Sequence, residues 1–295
     1  MPNILQAAVD YTDSGFNPGA IKNMNISIQL RLDGFSFAII DIFDKRLLKL
    51  QDFKISLIPN ISLQEKWEAV IKLFKTFVSE SIFDLNAFNK TIFILNHHEY
   101  TLMPEALFID SNAKDYLLFN QNIPYSFDVF SNTIFTTDKV ILFAVYKPLK
   151  EVIDEYVMEY SLKHHNNALL LALFKLHKNK KMAPSVYVSV SNKLMHIIAI
   201  DNEKLLMCNT YQFSSKEDFI YFILLAYDQL GLNPKKDMLY LLGDISQSSL
   251  IFQICWQYVL NISFIDHLSQ ISTYSDFDQM PAHQYFTLIQ STLCE

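Results

Sequence analysis

Asp33 and Gly34 stand side by side in the stretch RLDGFSF, between two alternating apolar runs. An aspartate and a glycine in a turn between strands have a chemistry available to them. Glycine lets backbone N–H groups approach phosphate oxygens, and a carboxylate can hold Mg²⁺ or orient a water. The same pair can equally serve the turn alone, because glycine tolerates backbone angles closed to other residues. Two histidine pairs are the other candidates. His97-His98-Glu99 has the residue types of a metal site, but neighbours on a strand point to opposite faces. His164-His165 falls in a stretch expected to be helical, where neighbours diverge by about 100°. Both pairs are therefore expected at the polar surface. No nucleophile elbow or triad signature is present, so no catalytic residue and no metal ligand is assigned.

The elements that must position Asp33-Gly34 emerge when the chain is compared with itself. Residues 27–55 (SIQLRLDGFSFAIIDIFDKRLLKLQDFKI) align without a gap on residues 185–213 (SVYVSVSNKLMHIIAIDNEKLLMCNTYQF), an offset of 158 from residue 27 to residue 185. Each segment reads as three antiparallel strands in a meander. The first turn is Asp33-Gly34 in one copy and Ser191-Asn192 in the other, both suited to a tight hairpin. A helix follows in each copy behind an S-x-x-E capping box, Ser62 with Glu65 and Ser214 with Glu217. Trp67, Val70, Phe74 and Phe77 fall on one face of the first helix. Phe219, Phe222, Ile223 and Tyr227 do so in the second, and Gly231 supplies its C-terminal stop. Short apolar strands, TIFIL (91–95) and MLYLL (238–242), come next. Glu105 behind Pro104 reads as first-turn helix chemistry.

A duplicated unit of this order resembles the actin, sugar-kinase and Hsp70 ATPase superfamily. The phrases LRLDGFSFAI, YTLMPEALF, LYLLGDIS and MPAHQYFTLIQSTLCE resemble domain-of-unknown-function family 3822, a bacterial family associated with an actin-like ATPase fold. The resemblance runs from about residue 20 onward. It implies an α/β fold in which duplicated βββαβα units form two actin-like (ribonuclease-H-like) subdomains around a cleft. The divisions expected are an N-terminal arm over 1–24, a first subdomain over 25–150, a helical connector over 151–181 and a second subdomain over 182–295.

Functional members of the superfamily hold ATP with Mg²⁺ between the halves. They use an acidic, glycine-containing hairpin in each half and a later glycine-rich adenosine loop. Carried over, this marks Asp33, Gly34, Gly243 and Asp244 as the cofactor-binding candidates. The departures are several. Asp33 and Gly34 are adjacent rather than separated by one residue, Phe35 follows them, and Ser36 is the nearby hydroxyl. The second turn, Ser191-Asn192-Lys193, has neither carboxylate nor glycine, and Gly243 stands alone where a glycine pair is usual. The expectation is a vestigial nucleotide site in a non-catalytic protein that acts by protein–protein interaction or scaffolding. The alternative is a divergent ATP-binding protein, ATPase or small-molecule kinase using the cleft, with ATP and Mg²⁺ as cofactors. Tyr11, Phe16 and Tyr274 are candidate anchors for a protein partner.

Composition narrows the classes further. A net charge of −7 lacks the clustered cations that phosphate neutralisation requires, so no nucleic-acid partner is expected. Lys175, Lys178, Lys180 and Lys181 cluster, but lysines are favoured at a helix C-terminus in any case. The apolar run ALLLALF (168–174) falls far short of the ~20 residues of a membrane span, so no membrane partner is expected. Cys208, Cys255 and Cys294 are widely spaced, which fits reduced thiols in a cytoplasm rather than a zinc or redox motif.

Overall fold

The computed structural model describes residues 6–56, 61–178, 183–265 and 271–293. The first half runs β1 (Val9–Thr12), β2 (Met24–Arg31), β3 (Gly34–Asp41), β4 (Arg46–Lys54), α1 (Leu63–Glu80) and β5 (Lys90–Asn96). It continues through β6 (Tyr100–Pro104), α2 (Ala113–Asn120), β7 (Phe127–Ile134), β8 (Lys139–Tyr146), α3 (Lys147–Tyr156) and β9 (Ser161–His164). α4 (His165–His177) leads into β10 (Ser185–Ser191), β11 (Leu194–Asp201), β12 (Lys204–Gln212) and α5 (Lys216–Gln229). β13 (Met238–Gly243), α6 (Leu250–Tyr258), β14 (Ile262–Phe264) and α7 (Phe286–Ser291) follow.

These strands make a large sheet of order β1-β4-β3-β2-β5-β9, a second of order β12-β11-β10-β13-β14, and a small β6-β8-β7 sheet. From β4 onward the first order matches the second strand for strand. In each, the meander is antiparallel and the strand after the helix returns parallel to the first strand. The α/β architecture expected from the sequence is the one observed. β1, from the expected arm, extends the first sheet by pairing with β4.

The register across the first hairpins differs from the gapless alignment. Arg31 pairs with Gly34 and Ser191 with Leu194, so equivalence here is 160 residues (31 to 191) and Asp33 corresponds to Lys193. The next turn, Asp41 to Arg46, is two residues longer than Asp201 to Lys204, which restores the offset of 158 in the third strand.

Helix starts follow the capping chemistry, once with a shift. Ser62 accepts the Glu65 N–H at 3.2 Å while the Glu65 carboxylate accepts the Ser62 N–H at 2.7 Å. In α5 the cap is Ser215 and the partner Asp218, one residue beyond the expected Ser214 and Glu217. The Asp218 carboxylate gathers the N–H groups of both serines, at 3.0 Å and 3.2 Å, which fixes this phase. Two further differences concern stretches expected to be helical. Pro104 closes β6 opposite Lys139, and Glu105–Leu107 make only a single 3-10 turn. The segment from 148 to 178 carries a strand, β9, which pairs parallel with β5.

Both faces of the first sheet are covered, and β3 shows how. Phe35, Phe37 and Ile39 pack against Trp67, Val70, Phe74 and Phe77 of α1. The alternate residues Ala38 and Ile40, with Leu47 and Leu50, lie under Ile271, Phe277, Met280, Leu288 and Ile289. The C-terminal segment thus returns to the first half, and Ser27 Oγ donates to the Leu288 carbonyl at 2.7 Å. In the second half Val186, Val188, Val190 and Ile197 pack on Phe219 and Ile223 of α5. Among the described residues, no helix is long and apolar enough to cross a membrane.

Candidate functional site

The central strands β2 and β10 each carry a row of polar residues at alternate positions. In β2 it is Asn25, Ser27, Gln29 and Arg31; in β10 it includes Ser185, Ser189 and Ser191. All seven are buried, which costs free energy unless each finds a partner. The rows run toward the two hairpin turns, so the cleft between the halves is lined with polar groups before any ligand is considered.

Arg31 dominates this region. Its Nη2 donates to Asp52 Oδ1 at 2.6 Å, its Nη1 to Ser36 Oγ at 2.9 Å and its Nε to Asp33 Oδ1 at 3.2 Å. Burial alone would lower the guanidinium's pKa, but Asp52 and Asp33, with Asp244 across the cleft, hold it above its ordinary value. Each guanidinium nitrogen donates to one of the protein's own oxygens. The charge-assisted bonds to the two carboxylates are the strong ones.

Three of the four cofactor-binding candidates divide between two spaces that share Arg31, and Gly34 lines neither. Asp33 lines an outer pocket of about 240 Å³ together with Lys66, Asn96, His98, Glu99, Asn192 and Lys193. Gly243 and Asp244 line an inner space of about 20 Å³ with Ser36, Asp52, His165 and Ser189. The inner space has room for roughly one water molecule, and the outer falls below the ~300–1,000 Å³ usual for drug-sized ligands. Gly34 serves the backbone: it has a φ of +142°, and a Cβ there would sit 2.0 Å from the Phe53 carbonyl oxygen. Gly243 is alike in role, with a φ of +78° and the Val190 carbonyl 2.0 Å from a built Cβ. The Asp244 N–H donates to that carbonyl at 2.8 Å, locking the end of β13 to β10.

The histidine pairs lie inside rather than at the surface. His97, His164 and His165 are at most 2% exposed, and only His98 keeps partial access. The reason is position: His97 and His98 follow β5 into the junction between halves, and His164-His165 span the step from β9 to α4. The Glu99 carboxylate meets His97 Nδ1 at 3.1 Å and His98 Nδ1 at 3.0 Å. Burial would raise the Glu99 pKa, but the adjoining imidazoles more than offset this and hold it below the ordinary range. Among the described residues no three His, Cys, Asp or Glu side chains gather as a metal site.

His165 Nε2 lies 3.2 Å from Ser189 Oγ, the geometry of a base beside a nucleophile. Two features disarm it. Burial and the charge of Arg31 push the His165 pKa down to about 3, and among the described residues its Nδ1 has no hydrogen-bond partner to orient the ring. A base this weak, without an orienting acid, does not activate a serine at neutral pH. His196 bridges the halves instead, with Nε2 2.9 Å from Asn96 Oδ1 and Nδ1 2.8 Å from Thr210 Oγ1.

Arg31, Asp52, Ser189 and His196 escaped the sequence reading. For Arg31 and Ser189 the signal was present in the alternation of NISIQLR and SVYVSVS, where polar residues recur every second position inside strands covered on both faces. Of the lysine cluster, Lys175 donates to the Leu293 carbonyl at 3.2 Å, and Lys175 and Lys178 line a cavity of about 440 Å³. Lys180, Lys181 and Cys294 lie outside the described residues. Of the three candidate anchors, Tyr11 stacks on Phe277 at 5.9 Å, Tyr274 lies under Arg46 at 3.7 Å, and Phe16 packs partly buried against the first core.

A family described as a protein of unknown function (DUF3822) matches residues 13–262. Among solved structures, the chain is similar to a Bacteroides thetaiotaomicron protein with an actin-like ATPase fold and unknown function. The two share 20% identity and a TM-score of 0.76, over 95% of this chain and 99% of that one. It is also similar to a chain of the PilM–PilN type IV pilus biogenesis complex, with 10% identity and a TM-score of 0.56, over 91% of this chain and 97% of that one. At these identities the likeness speaks to the fold, which is that of the actin-like ATPases. No curated protein matches the chain.

Proposed function

The chain belongs to the DUF3822 family, and from that premise we propose that it is a non-catalytic actin-like protein that works through protein–protein contacts. The observation that carries this reading is the closed inner end of the cleft. An internally duplicated ATPase of this fold would place phosphates between its two hairpin turns, and here Arg31, Asp52, Ser36 and Asp33 bond one another at the inner end of that ground, leaving an outer pocket of about 240 Å³. A space of about 20 Å³ beside Gly243 and Asp244 leaves no room for a nucleotide. Asp33, Gly34, Gly243 and Asp244 are then the trace of a nucleotide site whose glycines persist because the backbone passes too close for any side chain. The PilM–PilN complex supplies a precedent for a protein of this fold working with a protein partner. A bacterial cytoplasm is the setting we infer, in keeping with the buried, unpaired thiols of Cys208 and Cys255.

One observation favours a second reading. Lys66 and Lys193, from opposite halves, both line the outer pocket, so an oxyanion there would meet positive charge from each side. This keeps divergent ATP or phosphate binding in view, with Mg²⁺ held by Asp33. Thermal unfolding in Mg-ATP, Mg-ADP and inorganic phosphate separates the two. A specific ligand at a hundredfold excess over its Kd stabilises by about 2.7 kcal/mol. We expect no shift with millimolar nucleotide. A nucleotide shift that Asp33→Ala abolishes would overturn the non-catalytic reading.

A further inference from the structure

The outer pocket between the two hairpin turns has a charge balance of its own. Three cations line it, Arg31, Lys66 and Lys193, against two carboxylates, Asp33 and Glu99. With histidine counted as neutral, one positive charge is left over. The carboxylates are already committed. Asp33 Oδ1 accepts from Arg31 Nε at 3.2 Å, and the two oxygens of Glu99 meet His97 at 3.1 Å and His98 at 3.0 Å. The lysines are free of such ties: among the described residues neither Lys66 nor Lys193 has an ion-pair partner, although they reach one space from opposite halves. Asn96 supplies a second, independent sign. It is 1% exposed at the end of β5 and lines the same pocket. Its Oδ1 faces His196 Nε2 at 2.9 Å, and its Nδ2 has no hydrogen-bond partner among the described residues. A buried amide donor left empty costs free energy. A ligand oxygen at the inner end of the pocket, bonded directly or through one water, would remove that cost.

These features fit a carboxylate and fit a phosphate poorly. A phosphate monoester brings about two negative charges, which would exceed the single surplus and crowd Asp33 and Glu99. Backbone N–H groups in turns are the usual grip on phosphate. Here the Asn192 N–H is turned to the Asp244 carboxylate at 3.4 Å, and Gly34 lines neither space. A single carboxylate between Lys66 and Lys193 neutralises the surplus. Around it the side chains of Asn192, Gln212 and His98 can both donate and accept, so the rest of the ligand is polar. With about 240 Å³ available, it is also small. We propose that the outer pocket binds a small monocarboxylate bearing hydroxyl or amide groups, held between the two halves by Lys66 and Lys193. The inference stands apart from whether the chain has a protein partner.

Isothermal titration calorimetry on the full chain tests it with lactate, glycerate and N-acetylglycinate. Each is run beside its primary amide, which keeps the shape and loses the charge. The expected result is one site for at least one acid, with millimolar or tighter affinity, and no binding of any amide. Inorganic phosphate should bind more weakly than that acid. Lys66→Gln and Lys193→Gln should each weaken the acid about tenfold, the scale of one lost charge-assisted bond. Lys193→Glu should abolish binding while the chain still folds, because the residue sits exposed on the β10–β11 turn. Circular dichroism of the variant checks that the fold is kept. Failure of all three acids to bind overturns the proposal. So does an amide or phosphate that binds as tightly as its acid, or an affinity that Lys193→Glu leaves unchanged.

Discussion

The turns that close β2–β3 and β10–β11 occupy matching places in matching sheets, yet they are held by different physics. In the first half the strand ends in Arg31, and its guanidinium ties the turn, Ser36 and Asp52 into one charged network. In the second the equivalent residue is Ser191, and the turn is held chiefly by backbone: the Val190 carbonyl accepts from Asp244, with Gly243 pressed against it. One topology therefore needs no buried cation at this point, since in the second half the Asn192 N–H reaches only the Asp244 carboxylate, at 3.4 Å. The first half has committed a buried cation to it, and such a network specifies one arrangement while excluding others.

The widest separation between the halves should come from removing the cation. Arg31→Ala leaves Asp52 buried without its partner, and breaking a buried pair from one side costs about 3–5 kcal/mol. Ser191→Ala at the equivalent place should cost well under that. Urea unfolding of both variants is the measurement, and equal losses would remove the contrast. The double change Arg31→Met with Asp52→Leu should regain much of the loss, because no lone charge is then buried.

Acid should act next, on the histidines at the junction. Burial, aided by the charge of Arg31, pushes His165 down to about 3, and burial lowers His164 and His196 in the same direction. The unfolded chain, whose histidines titrate near pH 6.5, therefore binds more protons than the folded one below that value. Stability is complete above about pH 6.5 and declines as the pH falls toward 3, by up to about 1.4 kcal/mol per pH unit for each such group. Melting temperature followed from pH 7 to pH 5 checks this, and His165→Gln should flatten the slope. A profile unchanged by that substitution would show that His165 is not among the responsible groups.

The smallest effect sharpens the comparison at the helix starts. Ser62→Ala and Ser215→Ala should each cost about 1 kcal/mol, the usual worth of an N-cap. Ser214→Ala should cost almost nothing, because Ser214 contributes a backbone N–H that alanine keeps. Comparable losses for Ser214 and Ser215 would contradict the observed cap.

That last pair also shows where sequence reasoning stops. Ser214 and Ser215 are followed at the same distance by Glu217 and Asp218, so either phase satisfies the capping rule, and packing decides between them. The meanders, α1, the strand after each helix and the αL stop at Gly231 all rest on local periodicity or turn chemistry, and these are legible along the chain. The gapless alignment slipped by two at the first hairpin because a longer turn downstream compensated for it. For the site, Asp33 and Gly34 could be singled out from the turn, but not their partner. Asp52 reaches Arg31 from two strands away, and the histidines meet only when α4 is laid between the halves. β9 was hidden by the helical neighbours on both sides of it.

The return of the C-terminal segment to the first sheet has a consequence for how this protein is made. Ala38, Ile40, Leu47 and Leu50 are synthesised early, but Leu288 and Ile289, which cover them, emerge among the last described residues. Asn25 likewise waits for Thr292, 267 positions downstream, to accept its side-chain bond at 3.0 Å. One side of the first sheet thus stays wet until α7 has been synthesised. Pairings so distant along the chain close slowly, and an uncovered apolar sheet is prone to aggregate while it waits. The first half does not mature as an independent unit in the order of its translation; its sheet is covered only once α7 has been made and is laid back over β2 and β3.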